Sequence, residues 1–114
     1  MNYEVVLSAQ TEMDLRGIYE YIAFTLLAPE NAIGQLKRIE EAMFSLEQYP
    51  LRYKAYEKEP WHSRGLRALP IDNYVLLYIP NEKKKVVTII RVMYGGRDIQ
   101  KELKMHQNHN SFTN

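Results

Sequence analysis

Not one cysteine occurs in the 114 residues, which excludes disulfides, thiolate metal sites and a cysteine nucleophile and suits a reducing compartment. Long apolar runs are missing too: none reaches the roughly 18 residues that a spanning helix requires. The amino terminus opens on a β-like run rather than on a basic segment and an apolar stretch, so the expectation is a cytoplasmic protein with no membrane partner. Charge of one sign is also scarce. Fifteen Lys and Arg against fourteen Asp and Glu give a net charge of +1, which argues against a strongly basic, non-specific nucleic-acid binder. No Gly-rich phosphate loop, HExxH pattern, Ser/His/Asp arrangement or internal repeat is present, and neither a cofactor nor a metal is expected.

What is present is enough apolar material, 46% of the residues, for one modest core, so residues 1–104 are expected to form a single domain. From residue 105 on, Asn, Gln, His, Ser and Thr dominate. Such a tail cannot bury enough surface to offset its ordering and is expected to be disordered. His106 and His109 have helix-like ligand spacing but lack a third ligand.

Tyr3, Val5 and Leu7 alternate as on a strand. Ser8 or Thr11 can start a helix, and Thr11 with Asp14 three residues on has the form of a capping box. Leu15, Ile18, Tyr19, Ile22 and Leu26 make one apolar stripe; after Pro29, Ala32, Ile33, Leu36, Ile39, Met43 and Leu46 make a second, ending near Tyr49-Pro50. A connection so short predicts an antiparallel helical hairpin. Leu51 to Arg64 has no periodicity and reads as an ordered loop. Three β-favouring runs follow, Leu66 to Ile71, Tyr74 to Ile79 and Val86 to Met93, joined by Asp72-Asn73 and by Pro80-Asn81-Glu82. Asp98 can cap a terminal helix with Ile99 and Leu103 inward. The expected fold is therefore α+β, in the order β-α-α-β-β-β-(α), with the helical hairpin on one face of a mainly antiparallel four-stranded sheet. The opposite face is expected to be a shallow concave surface.

That face draws interest through its polar exceptions. Arg67, Arg91, Tyr94 and Arg97 lie in or just after strands that are otherwise apolar. Guanidinium groups hold phosphate bidentately, and a tyrosine hydroxyl can relay a proton. Arg67, Tyr94 and Arg97 are the candidate catalytic set, with Arg64, Arg91 and Trp61 as substrate contacts, Trp61 by stacking on a base. Metal-free RNA cleavage through 2′-hydroxyl attack needs a proton acceptor, cations on the phosphorane and a proton donor. The alternative is that these arginines pair with helix carboxylates and the aromatic residues pin the loop to the core. Glu57 and Glu59 could act as a base or belong to a solvated charge cluster, and Lys83-Lys84-Lys85 reads as a hairpin tip that discourages edge pairing.

Asp14-Leu15, Ile18-Tyr19, Tyr21-Ile22, Pro29 with Ala32, Leu46 with Pro50, Gly65-Leu66-Arg67, Asn73 to Tyr78 and Ile90 to Asp98 together resemble the RelE/ParE superfamily, the toxins of type II toxin–antitoxin modules. The resemblance spans residues 3 to 104 and implies a cognate antitoxin as partner. It also implies one of two mechanisms: metal-independent mRNA cleavage in the ribosomal A site, as in RelE- and YoeB-like members, or poisoning of DNA gyrase without chemistry, as in ParE-like members. Tyr94 and Arg97 match the terminal aromatic and the following arginine of the superfamily. Val75 stands where ribonuclease members often carry an arginine. The sequence-based expectation is a ribosome-dependent mRNA endoribonuclease, with gyrase inhibition and a non-toxic binding module on the same fold as alternatives.

Overall fold

The computed structural model of the chain describes residues 2–103. Strand Glu4–Leu7 (β1) passes into helix Ala9–Glu20 (α1) across Ser8 alone, whose hydroxyl accepts the Thr11 amide at 3.0 Å and caps the helix. The capping box expected at Thr11 and Asp14 does not form, because Ser8 does the capping and Asp14 is committed elsewhere. After Glu20 the helix widens into a π-helical turn, Tyr21–Thr25, and the chain reverses through Leu27 at φ 55°. Pro29 then opens helix Pro29–Phe44 (α2) at its first turn, where its missing N–H costs nothing. This widening ends the first apolar stripe early. Leu26 and, on α2, Ile33 are exposed rather than facing inward.

The meander consists of strands Arg67–Ile71 (β2), Tyr74–Asn81 (β3) and Val86–Tyr94 (β4). They pair antiparallel, and β1 adds parallel to β4, giving the sheet order β1-β4-β3-β2. Residues 99–103 form a terminal helical turn whose Lys101 amide is accepted by Asp98 Oδ1 at 3.1 Å. The polar tail, with His106 and His109, lies outside the described residues. Among the described residues no helix is long and apolar enough to cross a membrane.

Both faces of the sheet are covered. On one, Ile39, Met43 and Leu46 pack against Leu69, Leu76, Tyr78, Ile89 and Val92. On the other, the expected concave surface is filled by a second core: Trp61 and Leu66 from the long loop and Leu103 from the terminal turn close over Val75, Leu77 and Met93. The aromatic residues of the loop supply the apolar area that an open sheet face would otherwise expose to water. A register shift in β4 decides which side chains enter which core. Leu77 pairs with Arg91 but Tyr78 with Ile89, so Ile90 is the extra residue of a bulge. Without it, Arg91 would share the helix-covered face with Val87 and Ile89. With it, Val92 takes that place and Arg91 turns to the sheet edge.

Tyr78 is fully buried in the first core, and its hydroxyl donates to the Pro50 carbonyl at 2.6 Å. Burial raises its pKa from 10.0 to about 12. The folded state therefore holds this proton more tightly than the unfolded chain does. The resulting stabilisation is complete below pH 10.0 and is lost as pH rises from there through about 12. Alkaline titration followed by circular dichroism should show stability falling across that window. Tyr78→Phe should flatten the alkaline fall, and at neutral pH it should cost roughly 1–3 kcal/mol by leaving the buried Pro50 carbonyl without a donor.

Candidate functional site

β4 outruns β1. Parallel pairing stops at Leu7 opposite Ile89, so the edge of β4 from Ile90 onward has lost its neighbour. Side chains of α1 take over part of it: Thr11 Oγ1 donates to the Ile89 carbonyl at 2.9 Å, Ser8 Oγ to the Ile90 carbonyl at 3.0 Å, and the Val92 amide donates to Asp14 at 3.0 Å. Asp14 also receives Arg91 Nε at 2.8 Å and a terminal Arg91 nitrogen at 2.9 Å, a two-pronged pair with side chains only 10% and 8% exposed. Gln10 donates to the same carboxylate at 3.1 Å. Glu102 of the terminal turn approaches Arg91 to 4.0 Å and Arg97 to 3.3 Å, joining α1, β4 and the C-terminal segment in one charged cluster.

Beyond Asp14 the helix diverges from the strand and opens a cleft of about 590 Å³. Its helix wall carries Met13, Gly17 and Tyr21; its strand wall runs from Arg91 to Tyr94 and on to Arg97. Tyr94 is half-exposed and meets Tyr74 edge to face, ring centroids 6.1 Å apart. Burial and the neighbouring tyrosines raise the pKa of Tyr74. The glycine pair after Tyr94, a feature suited to close ligand approach, is explained by local packing. Gly95 donates to the Asn73 carbonyl at 2.8 Å, and a Cβ on Gly96 would lie 2.5 Å from the Tyr94 ring.

The expected convergence of Arg67, Tyr94 and Arg97 is not met. Arg67 pairs in register with Tyr78, whereas Tyr94 pairs with Tyr74. Four residues of strand and two strand spacings put the two positions roughly 16 Å apart. Arg67 is held by the carbonyls of Tyr53 at 2.6 Å and Leu51 at 3.2 Å, where it pins the long loop to the sheet edge. Arg91 is buried in its pair with Asp14. Trp61 is 7% exposed, so its faces serve the second core rather than a base, and the Arg64 guanidinium lies 5.0 Å from its ring. Tyr94 and Arg97 do share the cleft. Glu59 is engaged by the Ser63 hydroxyl and amide, which lower its pKa and oppose a role as base; Glu57 meets Lys54 in solvent. Among the described residues no three His, Asp or Glu side chains converge on a metal-sized site.

The cleft residues missing from the sequence-based set include Asp14, Met13, Gly17, Tyr21 and Tyr74. Asp14 alone carried a signal. It stands one turn before Ile18 on the buried side of α1, a position at which a carboxylate calls for a cationic partner.

This geometry matches known proteins. A family model described as the ParE toxin of the type II toxin–antitoxin system, parDE, matches residues 5–99. The chain belongs to the ParE toxin family. Among solved structures, this ParE-family toxin is similar to a chain of the chromosomal ParDE system from P. aeruginosa, with 21% identity, coverage of 81% of this chain and 95% of that one, and a TM-score of 0.66. It is similar to a chain of the RelBE2 toxin–antitoxin complex from Mycobacterium tuberculosis, with 24% identity, 82% and 99% coverage and a TM-score of 0.62. It also resembles the isolated RelE toxin of E. coli, with 15% identity, 91% and 97% coverage and a TM-score of 0.56. At these identities the structural matches establish the shared fold. No curated protein sequence gives a significant match.

Removing one member of the Asp14–Arg91 pair leaves a buried charge without its counter-ion. Asp14→Ala should therefore lower unfolding free energy by about 3–5 kcal/mol in a denaturant titration, and the double variant Asp14→Leu with Arg91→Met should recover most of that loss.

Proposed function

We propose that this toxin of a type II toxin–antitoxin system arrests growth by binding DNA gyrase, without bond chemistry of its own. The observation that carries this reading is the internal engagement of the arginines. Arg67 is fastened to loop carbonyls at the β2 edge and Arg91 to Asp14 beside β4, on either side of β3. In-line RNA cleavage needs a proton acceptor, a cation and a proton donor within hydrogen-bond reach of one phosphate, and Arg67, its guanidinium held by the Tyr53 and Leu51 carbonyls with its backbone roughly 16 Å from that of Tyr94, is not placed to join Tyr94 and Arg97 there. Val75, 8% exposed in the second core, occupies the place where ribonuclease members often carry an arginine. The match to the ParE family favours the same side. The tip of the helical hairpin suits a protein target: Phe24, Leu26, Leu27 and Ile33 expose between 55% and 81% of their surface there, a patch expected at contact sites.

Ribosome-dependent mRNA cleavage is the second reading, favoured by the half-exposed Tyr94 hydroxyl at a cleft that also holds Arg97.

Expression in a host lacking the antitoxin should arrest growth and accumulate gyrase-dependent DNA breaks while transcripts stay intact. Normal growth with the folded chain present would remove both readings. The paired change Tyr94→Phe and Arg97→Ala should leave these breaks within a few-fold of the parent. A fall in toxicity of roughly 100-fold or more, with loss of transcript cleavage, would decide for the ribonuclease.

A further inference from the structure

The end of the sheet farthest from Tyr94 holds two residues in a conformation that suits neither of them. Tyr49 and Lys85 have left-handed backbone angles, φ 51° and φ 56°. That region crowds a Cβ and is ordinarily given to Gly or Asn. Tyr49 also precedes Pro50, and a proline pushes the residue before it toward extended angles. The tyrosine returns nothing to the core for this strain, since it is 75% exposed. The Lys85 ammonium rests over the Tyr3 ring, 5.1 Å from its centroid.

Both residues line one pocket of about 390 Å³, together with Tyr3, Pro50, Leu51 and Arg52. It lies between the loop that follows α2 and the β3–β4 hairpin. The nine residues of β4, roughly 26 Å, separate it from the cleft at Tyr94. The lining is mostly apolar, and no carboxylate belongs to it. Arg52 is spent on the fold: its guanidinium donates to the Gln48 carbonyl, to the Tyr49 carbonyl at 3.1 Å and to the Ser45 hydroxyl at 3.2 Å, closing the turns after α2. Lys85 is not. Among the described residues no ion pair involves it, nor the exposed Lys83 and Lys84 beside it on the hairpin tip.

We propose that this pocket is a second contact of the toxin with gyrase, and that it receives an extended acidic segment carrying one large apolar side chain. The apolar side chain enters between Tyr49 and Leu51, which is 41% exposed, above the Tyr3 ring. Carboxylates on either side of it meet Lys85 and the lysines of the tip. The apolar lining disfavours a purely ionic ligand, and the uncompensated ammonium groups disfavour a neutral or basic one. Sites for single-stranded nucleic acid set several aromatic platforms along a basic groove, whereas here one exposed tyrosine stands over a pocket of side-chain size. The apolar hairpin tip lies at the other end of α2, sixteen residues or about 24 Å away, so the two contacts bracket one partner surface. The proposal rests on gyrase being the target.

Binding of the full-length toxin to purified gyrase, without and with DNA, tests it. Lys84→Glu combined with Lys85→Asn keeps a residue that accepts the left-handed backbone and should weaken binding to DNA-free gyrase by roughly tenfold or more. Tyr49→Gly should leave the Tm unchanged or raise it by up to roughly 8 °C as strain is released, yet weaken the same binding by roughly fivefold or more. A fall in Tm of more than roughly 4 °C would make Tyr49 a structural residue and overturn the proposal. Binding of both variants within about twofold of the parent overturns the pocket and leaves the gyrase reading standing. So does a loss seen only with DNA present, which assigns the lysines to nucleic acid. A parent toxin that does not bind gyrase overturns the gyrase reading, and this contact with it.

Discussion

β4 loses its neighbour before it ends, and the arrangement of the N-terminal half follows from how that edge is satisfied. An unpaired buried backbone group costs about 1–3 kcal/mol, and after Leu7 the chain offers no further strand. Ser8, Thr11 and Asp14 recur every three residues along α1 and reach the Ile89 carbonyl, the Ile90 carbonyl and the Val92 amide. The helix is thereby laid along the strand at a fixed angle. Its apolar stripe then meets the first core, and α2 packs behind it. The bulge at Ile90 serves the same junction, since it turns Arg91 toward Asp14 instead of into the apolar interior.

The sequence made the elements legible where period and punctuation agree: the alternation of Tyr3, Val5 and Leu7, the two helical stripes divided by Pro29, and the turns at Asp72-Asn73 and Asn81. It misled where a side chain's fate depends on a distant backbone. Nothing near Arg67 announces that the carbonyls of Leu51 and Tyr53 will come to it across the sheet edge. A bulge leaves no composition signal, so strict alternation assigns Arg91 to the wrong surroundings. Leu51 to Arg64 lacks periodicity because its apolar residues cover a sheet face from an irregular path. Trp61 therefore becomes core without looking like core.

The cations that made the strands look like a phosphate site are mostly structural. Arg67 fastens a loop and Arg91 satisfies a buried carboxylate; on α2, outside that set, Arg38 holds Asp72 at the β2–β3 turn and lowers that carboxyl's pKa. Of the strand arginines, Arg67 and Arg91 are engaged internally in a chain whose net charge is only +1. It instead exposes apolar side chains at the hairpin tip and around the α1 cleft. Those exposed apolar side chains are what support the proposed protein target.

An open strand edge beside exposed Met13 and Tyr21 is a hazard for any freely diffusing protein, because it invites pairing with whatever extended chain it meets. Natural edges are blunted by proline, charge or cover. Pro70 lies on the other edge strand, β2, whereas the last turn of β4 relies on Arg97 and on the recess made by α1.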